Sequence, residues 1–553
     1  MNRILVFLAI IIFFSDPVFA RNHISISNTV CSHLMKRDKE GKTLAWYKPD
    51  VPGAAYDHVI TLAAGFLKDH CPVNKTTGLP YYLVLSSFRG PDITPEKNFE
   101  GINWPHNPAC VFAGSVESFA VDYRIYSGDD SYVELVRKML DHELQFGTTG
   151  DSGWAWKNVP YASSEPYSKI YDGAHTGEKE GFRGDGQYGI EPDKVGELGT
   201  GYLKFYEITL DKKYLEAAVN CADALAEYVR DLSQDSKIVL KYEKSPWPFR
   251  VNARTGQIIS EYSSNVLSPI ILLDELIRIK QKINIDTIKI NGYIKARRIA
   301  WDWLYSTHGP IITFVWNGYF EDSGNDPSRV NRNQVSPIEL AKYLIRNSYL
   351  DKYFEKTIPS LISYVASAFK TDGMDAIKEQ IWCYGPTGSH TSRYGAACAL
   401  WYEKTGNTFY KEQAFRFLNF ATYMTYKNGV VATGPNMLET WFSDGYGDYV
   451  RHFIEAMAAI PEWAPADRDH LLRSTSVVQR IKYSASVISL ITFDNASDII
   501  IRMVSKPKSV KVNGFQLSEL DKPDGEGFVW TSLDKGGVLK ISYRSGNEVV
   551  VTK

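Results

Sequence analysis

The chain has few of the features that usually name a partner. Six cysteines in 553 residues (Cys31, Cys71, Cys110, Cys221, Cys383, Cys398) are too few and too scattered for a disulfide framework. The formal charge is −2, with no basic stripe and no polybasic arm, which argues against nucleic acid and against an anionic membrane surface. After the first twenty residues, no stretch approaches the roughly 20 apolar residues that a membrane span needs. No His-x-x-x-His or Glu-x-x-His spacing marks a metal site, and no cofactor is expected.

The exception is at the start. Arg3, the apolar stretch Ile4 to Phe14 and the small-residue pattern Val18-Phe19-Ala20 form an export signal over residues 1 to 20, with cleavage expected near Ala20. No cysteine follows Ala20, which argues against a lipid anchor. The expected product is soluble and either periplasmic or secreted.

Aromatic residues are abundant: 13% of the chain, with 13 Trp and 34 Tyr, and the tryptophans concentrate in loops. An indole without basic neighbours suits the C–H face of a pyranose ring, although a Trp filling a gap between helices has the same composition.

Three segments repeat one pattern: Tyr123-Arg-Ile-Tyr-Ser-Gly-Asp-Asp-Ser-Tyr132, Tyr206-Glu-Ile-Thr-Leu-Asp-Lys-Lys-Tyr214 and Tyr402-Glu-Lys-Thr-Gly-Asn-Thr-Phe-Tyr410. Each closes an apolar helical run, turns on Thr or Ser with Asp, Asn or Gly, and opens another helix, which is how stacked helical hairpins show themselves. Six runs are small and apolar nearly all round: Val116 to Ile125, Val195 to Ile208, Val266 to Ile279, Ile338 to Ile345, Tyr394 to Glu403 and Tyr449 to Ala459. Five others carry a charged face: Tyr132 to Phe146, Tyr214 to Val229, Ile288 to Tyr305, Tyr353 to Phe369 and Phe409 to Tyr426, with Tyr56 to Leu67 as a sixth. The first set predicts an inner ring of helices and the second an outer ring. From Ser476 onward, short β-rich runs alternate with Asp-Asn, Asn-Gly, Pro-Asp-Gly and Gly-Gly turns, predicting a small β-sandwich. The expected division is a signal peptide (1–20), a mainly α catalytic domain (21–470) and a C-terminal β-sandwich (476–553).

Six inner and six outer helices resemble the (α/α)6 toroid of carbohydrate-active enzymes, which includes glucuronidases, unsaturated-uronide hydrolases, arabinofuranosidases and polysaccharide lyases. The general pattern is most similar to enzymes that remove uronic acids from plant or algal polysaccharides. Two departures narrow the resemblance. Cys383 and Cys398 stand alone, unlike the clustered cysteines of zinc-dependent arabinofuranosidases, and the Asp-Asp-Leu-Phe-like stretch of unsaturated-uronide hydrolases does not occur. The resemblance implies a polysaccharide or oligosaccharide substrate.

In such a toroid, the loops entering the inner helices converge on one mouth. The densest cluster there is Glu439-Thr-Trp441-Phe-Ser-Asp444-Gly-Tyr446-Gly-Asp448. Glycosidic cleavage uses one protonated and one ionised carboxyl, and Trp surroundings raise the pKa of one of them. Glu439 beside Trp441 suits the acid. Asp444 or Asp448 suits the base, with Asp448 equally able to cap a helix starting at Tyr449. Glu191 with Glu197 is the competing pair. Arg393, Arg183 and Arg332 are candidates to clasp a uronic carboxylate, and Trp154, Trp316, Trp441, Tyr384 and His106 to hold the sugar.

The expected activity is hydrolytic removal of a uronic acid, β-glucuronic acid first. Two alternatives stand beside it. One is β-elimination by a lyase, with His390 taking the C5 proton and Tyr446 or Tyr384 protonating the leaving oxygen. The other is glycan binding without turnover.

Overall fold

The computed structural model describes residues 29–85, 87–89, 105–174, 185–233, 244–317, 332–381, 385–435, 440–522 and 524–553. The signal-peptide segment lies outside these residues. Among them, no helix is long and apolar enough to cross a membrane.

Among the described residues, twelve longer helices pair into six hairpins. They are α1 (Ala54–Gly65), α2 (Pro108–Ser115, continued by a π-helical stretch Val116–Tyr123 and by Arg124–Ser127), α3 (Ser131–Phe146), α4 (Pro192–Thr209), α5 (Lys212–Tyr228) and α6 (Leu267–Ile283). The chain goes on through α7 (Thr287–Leu304), α8 (Val335–Arg346), α9 (Phe354–Phe369), α10 (Gly388–Thr405), α11 (Thr408–Thr422) and α12 (Ser443–Ala459). Helices α2, α4, α6, α8, α10 and α12 touch one another in that order, and α12 touches α2, so the inner ring closes. Helices α3, α5, α7, α9, α11 and α1 pack outside them, which makes the fold a mainly α (α/α)6 toroid. All six inner runs and all six outer runs expected from apolar spacing fall in the ring expected for them.

Small residues let the inner helices approach. A Cβ on Gly196 would stand 2.4 Å from the Pro269 nitrogen, so α4 and α6 meet nearly backbone to backbone. The repeated Tyr-to-Tyr segment is the turn between inner and outer helices. Leu210 (φ 59°) and Gly406 (φ 70°) end α4 and α10 in the left-handed conformation. Asp211 and Asn407 then cap the next helix by accepting from the Lys213 and Phe409 amides at 3.3 and 3.0 Å.

The C-terminal strands form two packed sheets. One has the order His470–Ser474, Ser497–Met503, Gly537–Tyr543, Gly527–Ser532. The other has the order Val478–Tyr483, Val487–Thr492, Glu548–Thr552, Ser509–Val512, Phe515–Gln516. Alternation drives the packing: Ile488 and Leu490 point inward opposite Val551 and Val549. The sandwich sits on the turn face of the ring. Ile125 enters its core, the Tyr126 ring stacks on His470 at 4.0 Å, and Arg124 donates to the Val478 carbonyl. The opposite face, where the chain enters the inner helices, is left for a site.

Candidate functional site

The inner helices bring charged side chains together along the ring axis, His390 from a first turn and the others from one to three turns further in. Glu197 stands on α4, Glu339 and Lys342 on α8, His390 and Arg393 on α10, and Asp448, Arg451, His452 and Glu455 on α12. Arg393 joins three of these helices: its Nε lies 3.1 Å from Glu339, one terminal nitrogen lies 2.8 Å from His390 Nδ1, and the other donates to Asp448. Arg451 donates to the second Asp448 oxygen at 2.8 Å and stands 3.6 Å from Glu339. Below them the buried His452 imidazole is held between Asp448 (3.1 Å) and Glu455 (3.0 Å), and Lys342 bridges Glu339 (3.2 Å) to Glu455 (2.8 Å).

This arrangement separates the protonation of neighbouring carboxyls. Burial pushes Glu197 up to about 7, reinforced by the like charges of Asp193 and Asp448. Burial raises Asp448 too, but the guanidiniums of Arg393 and Arg451 outweigh it and hold that carboxyl well below the usual range. Glu339 is likewise drawn down to about 2 against its burial, by Lys342, Arg451 and Arg393. Deeper along the axis, in the π-helical part of α2, burial and the charges of Glu117 and Glu455 push Asp122 up to about 8.

Asp448 is a residue inside a helix rather than a cap. Helix α12 begins at Ser443, so the Gly-rich Asp-Gly-Tyr-Gly stretch, which reads as loop, is already helical. There Gly447 packs against Gly114 of α2. Asp444 belongs to the first turn of the same helix, and Trp441 to a strand paired with Ser87–Arg89. Glu439, Arg183 and Tyr384 lie outside the described residues.

Several expected site residues are placed in the protein's packing. Tyr446 is fully buried, its hydroxyl accepting from the Val431 amide at 2.9 Å and reaching the Gly429 carbonyl at 3.3 Å, so the hydroxyl is engaged by the backbone of the 429–431 segment. Glu191 is buried at the start of α4, where Lys194 (2.7 Å) and Arg250 (3.2 Å) hold it and Asp185 shares Arg250. The His106 ring is packed against Tyr171 (5.3 Å) and Phe112 (5.9 Å). Trp316 is buried and lines a cavity of about 20 Å³ with Asn265 and Pro310. Trp154 sets its edge on Tyr188 at 5.0 Å, and the half-buried Arg332 lies near Tyr364. Arg393 has its fork directed at Glu339, Asp448 and His390, so it positions its neighbours instead of presenting an open clasp for a carboxylate.

Glu379 escaped the sequence reading. It precedes α10 and stands 3.8 Å from His390 Nε2. Its one available signal was a carboxyl in a segment leading into an inner helix.

No protein-family model matches the chain, and no curated protein matches it in sequence. Among solved structures, cellobiose 2-epimerase from Spirochaeta thermophila is similar at 11% identity over 73% of this chain and 97% of that one, with a TM-score of 0.49. An α-mannanase from Bacteroides thetaiotaomicron is similar at 11% identity over 72% and 95%, with a TM-score of 0.42. A polysaccharide lyase is similar at 12% identity over 75% and 99%, with a TM-score of 0.41. Likeness this distant assigns the chain no substrate, reaction or residue.

Proposed function

We propose that the chain is a glycoside hydrolase acting on an oligosaccharide or polysaccharide at the mouth of the ring. The observation that carries this reading is the electrostatic contrast between Glu197, pushed up to about 7 by burial and by the charges of Asp193 and Asp448, and Asp448, held well below the ordinary carboxylate range by Arg393 and Arg451. Hydrolysis needs this contrast. Glu197 gives its proton to the glycosidic oxygen as the C1–O bond breaks, and Asp448 takes a proton from the water whose oxygen bonds to C1. Arg393 and Arg451 keep Asp448 ionised until it accepts that proton.

A preference for uronic acids would fall to Arg451, whose side chain is 19% exposed against 6% for Arg393, with Arg451 also paired to Asp448. The test is release of free uronic acid from uronate-capped oligosaccharides by the purified protein, and its loss in Glu197→Gln. An ultraviolet-absorbing unsaturated product would replace hydrolysis by elimination. Binding without any product would reduce the chain to a glycan-binding protein.

A further inference from the structure

His390 and Glu379 face one another at the mouth, and the proton on His390 can be located by chemistry. A guanidinium carries only donors and does not give up its proton in a protein. One nitrogen of Arg393 lies 2.8 Å from His390 Nδ1, so Nδ1 must be the acceptor and the ring proton must be on Nε2. The guanidinium is itself anchored by Glu339 at 3.1 Å and by Asp448, so it cannot swing off the imidazole without leaving those carboxylates. Asp448 stands 4.0 Å from Nδ1, farther away than the guanidinium nitrogen.

On the other side of the ring, Nε2 points toward Glu379 Oε1 across 3.8 Å, with the two side chains 10% and 30% exposed. That gap is too long for a direct hydrogen bond. It suits one oxygen at about 2.8 Å from each atom, accepting from Nε2–H and donating to Oε1. Such an oxygen must be donor and acceptor at once, as a sugar hydroxyl or the water it displaces is and a uronic carboxylate is not. A carboxylate there would meet the charge of Glu379.

We propose that His390 and Glu379 form a hydroxyl-recognising bracket for the saccharide, and that Arg393 is the positioning residue that fixes the Nε2–H tautomer. The only lone pair on the imidazole is taken by Arg393, so His390 is a donor and not the base of a proton abstraction. The identity of the ligand rests on the hydrolase reading above. The tautomer does not.

The test has two arms. In the first, nitrogen-15 NMR of the full chain labelled at histidine, with His390 assigned by its loss in His390→Gln, should show an unprotonated Nδ1 and a proton-bearing Nε2. A proton on Nδ1 would overturn the proposal. In the second, activity on uronate-capped oligosaccharides is compared between His390→Gln, whose amide N–H reaches the place of Nε2–H, and His390→Ala. Glutamine should lose less than tenfold in kcat/KM with the pH profile unchanged, and alanine about a hundredfold. Equal abolition by both variants would make His390 a proton-transfer group and end the donor role. If the wild-type protein turns over no saccharide, the hydrolase reading falls, and the NMR arm still decides the tautomer.

Discussion

Gly447 of α12 lies directly against Gly114 of α2: a Cβ added to Gly447 would stand 2.9 Å from the Gly114 carbonyl carbon. This contact joins the last inner helix to the first, and Ser118, one turn further along α2, donates to the Gly447 carbonyl. Gly447→Ala should therefore lower stability by about 1–3 kcal/mol through overpacking. Gly445→Ala, two residues away with nothing within 4 Å of the added carbon, should be neutral or raise stability by up to about 1 kcal/mol. Thermal unfolding of the two variants checks the contrast.

On the proposed hydrolytic reading, Glu197 sets the alkaline side of the activity profile. A general acid with a pKa of about 7 is protonated below that pH and loses its proton above it. The expected kcat/KM is therefore high in mildly acidic solution and falls as pH rises through about 7. A flat profile from pH 5 to 9 would remove Glu197 from the acid role.

Glu143 of α3 offers a stability readout away from the mouth. It is fully buried, neither carboxyl oxygen has a hydrogen-bond partner among the described residues, and burial holds its pKa well above the ordinary range. A carboxyl with a higher pKa folded than unfolded weakens the fold as pH climbs above its unfolded value of about 4.3. Glu143→Gln should leave the melting temperature nearly unchanged at pH 4. It should raise stability by about 1–3 kcal/mol near neutrality, and a gain that is larger in acid would reverse the sign of the argument.

Tyr446→Phe should cost about 1 kcal/mol of stability by deleting the bonds to Val431 and Gly429, while leaving turnover within a few-fold of wild type. A loss of a hundredfold or more in kcat with an unchanged melting temperature would return this tyrosine to the chemistry.

Asp494 ties the sandwich to the ring. It accepts from Arg278 at 2.7 Å and Lys282 at 2.8 Å, and Arg278 also reaches Glu207 at the end of α4. Asp494→Asn should loosen the junction by about 1 kcal/mol or less, since the cations are partly exposed. The effect should shrink at high salt. Asp494 is held below its ordinary pKa, so the contribution is present at neutral pH and fades in acid. Limited proteolysis near residue 475 at two salt concentrations measures it.

Much of the architecture was legible because it depends on neighbours in sequence. Apolar spacing and small-residue content separated α10 from α11, and the Leu210-Asp211 and Gly406-Asn407 turns marked where an inner helix gives way to an outer one. The start of α12 was not legible. Ser443 to Gly447 contains two glycines, which favour a loop by propensity, yet the stretch is helical and seats Gly447 against Gly114.

The site divides in the same way. Asp448, Glu197, Arg393 and His390 could be named as mouth residues from the loops and helix starts that carry them. Their roles could not. Arg393 meets Asp448 from 55 positions away in sequence, Arg250 meets Asp185 from 65, and Tyr446 turns its hydroxyl into the 429–431 segment. The sequence by itself determined two rings of helices, a β-rich C-terminal unit and the end of the ring that carries the polar groups, because periodicity and turn chemistry are local. Only the tertiary structure decided which carboxyl is pushed up and which is held down, which arginine is already paired and what each His390 nitrogen faces. Each of those depends on burial and on charges brought together from distant parts of the chain.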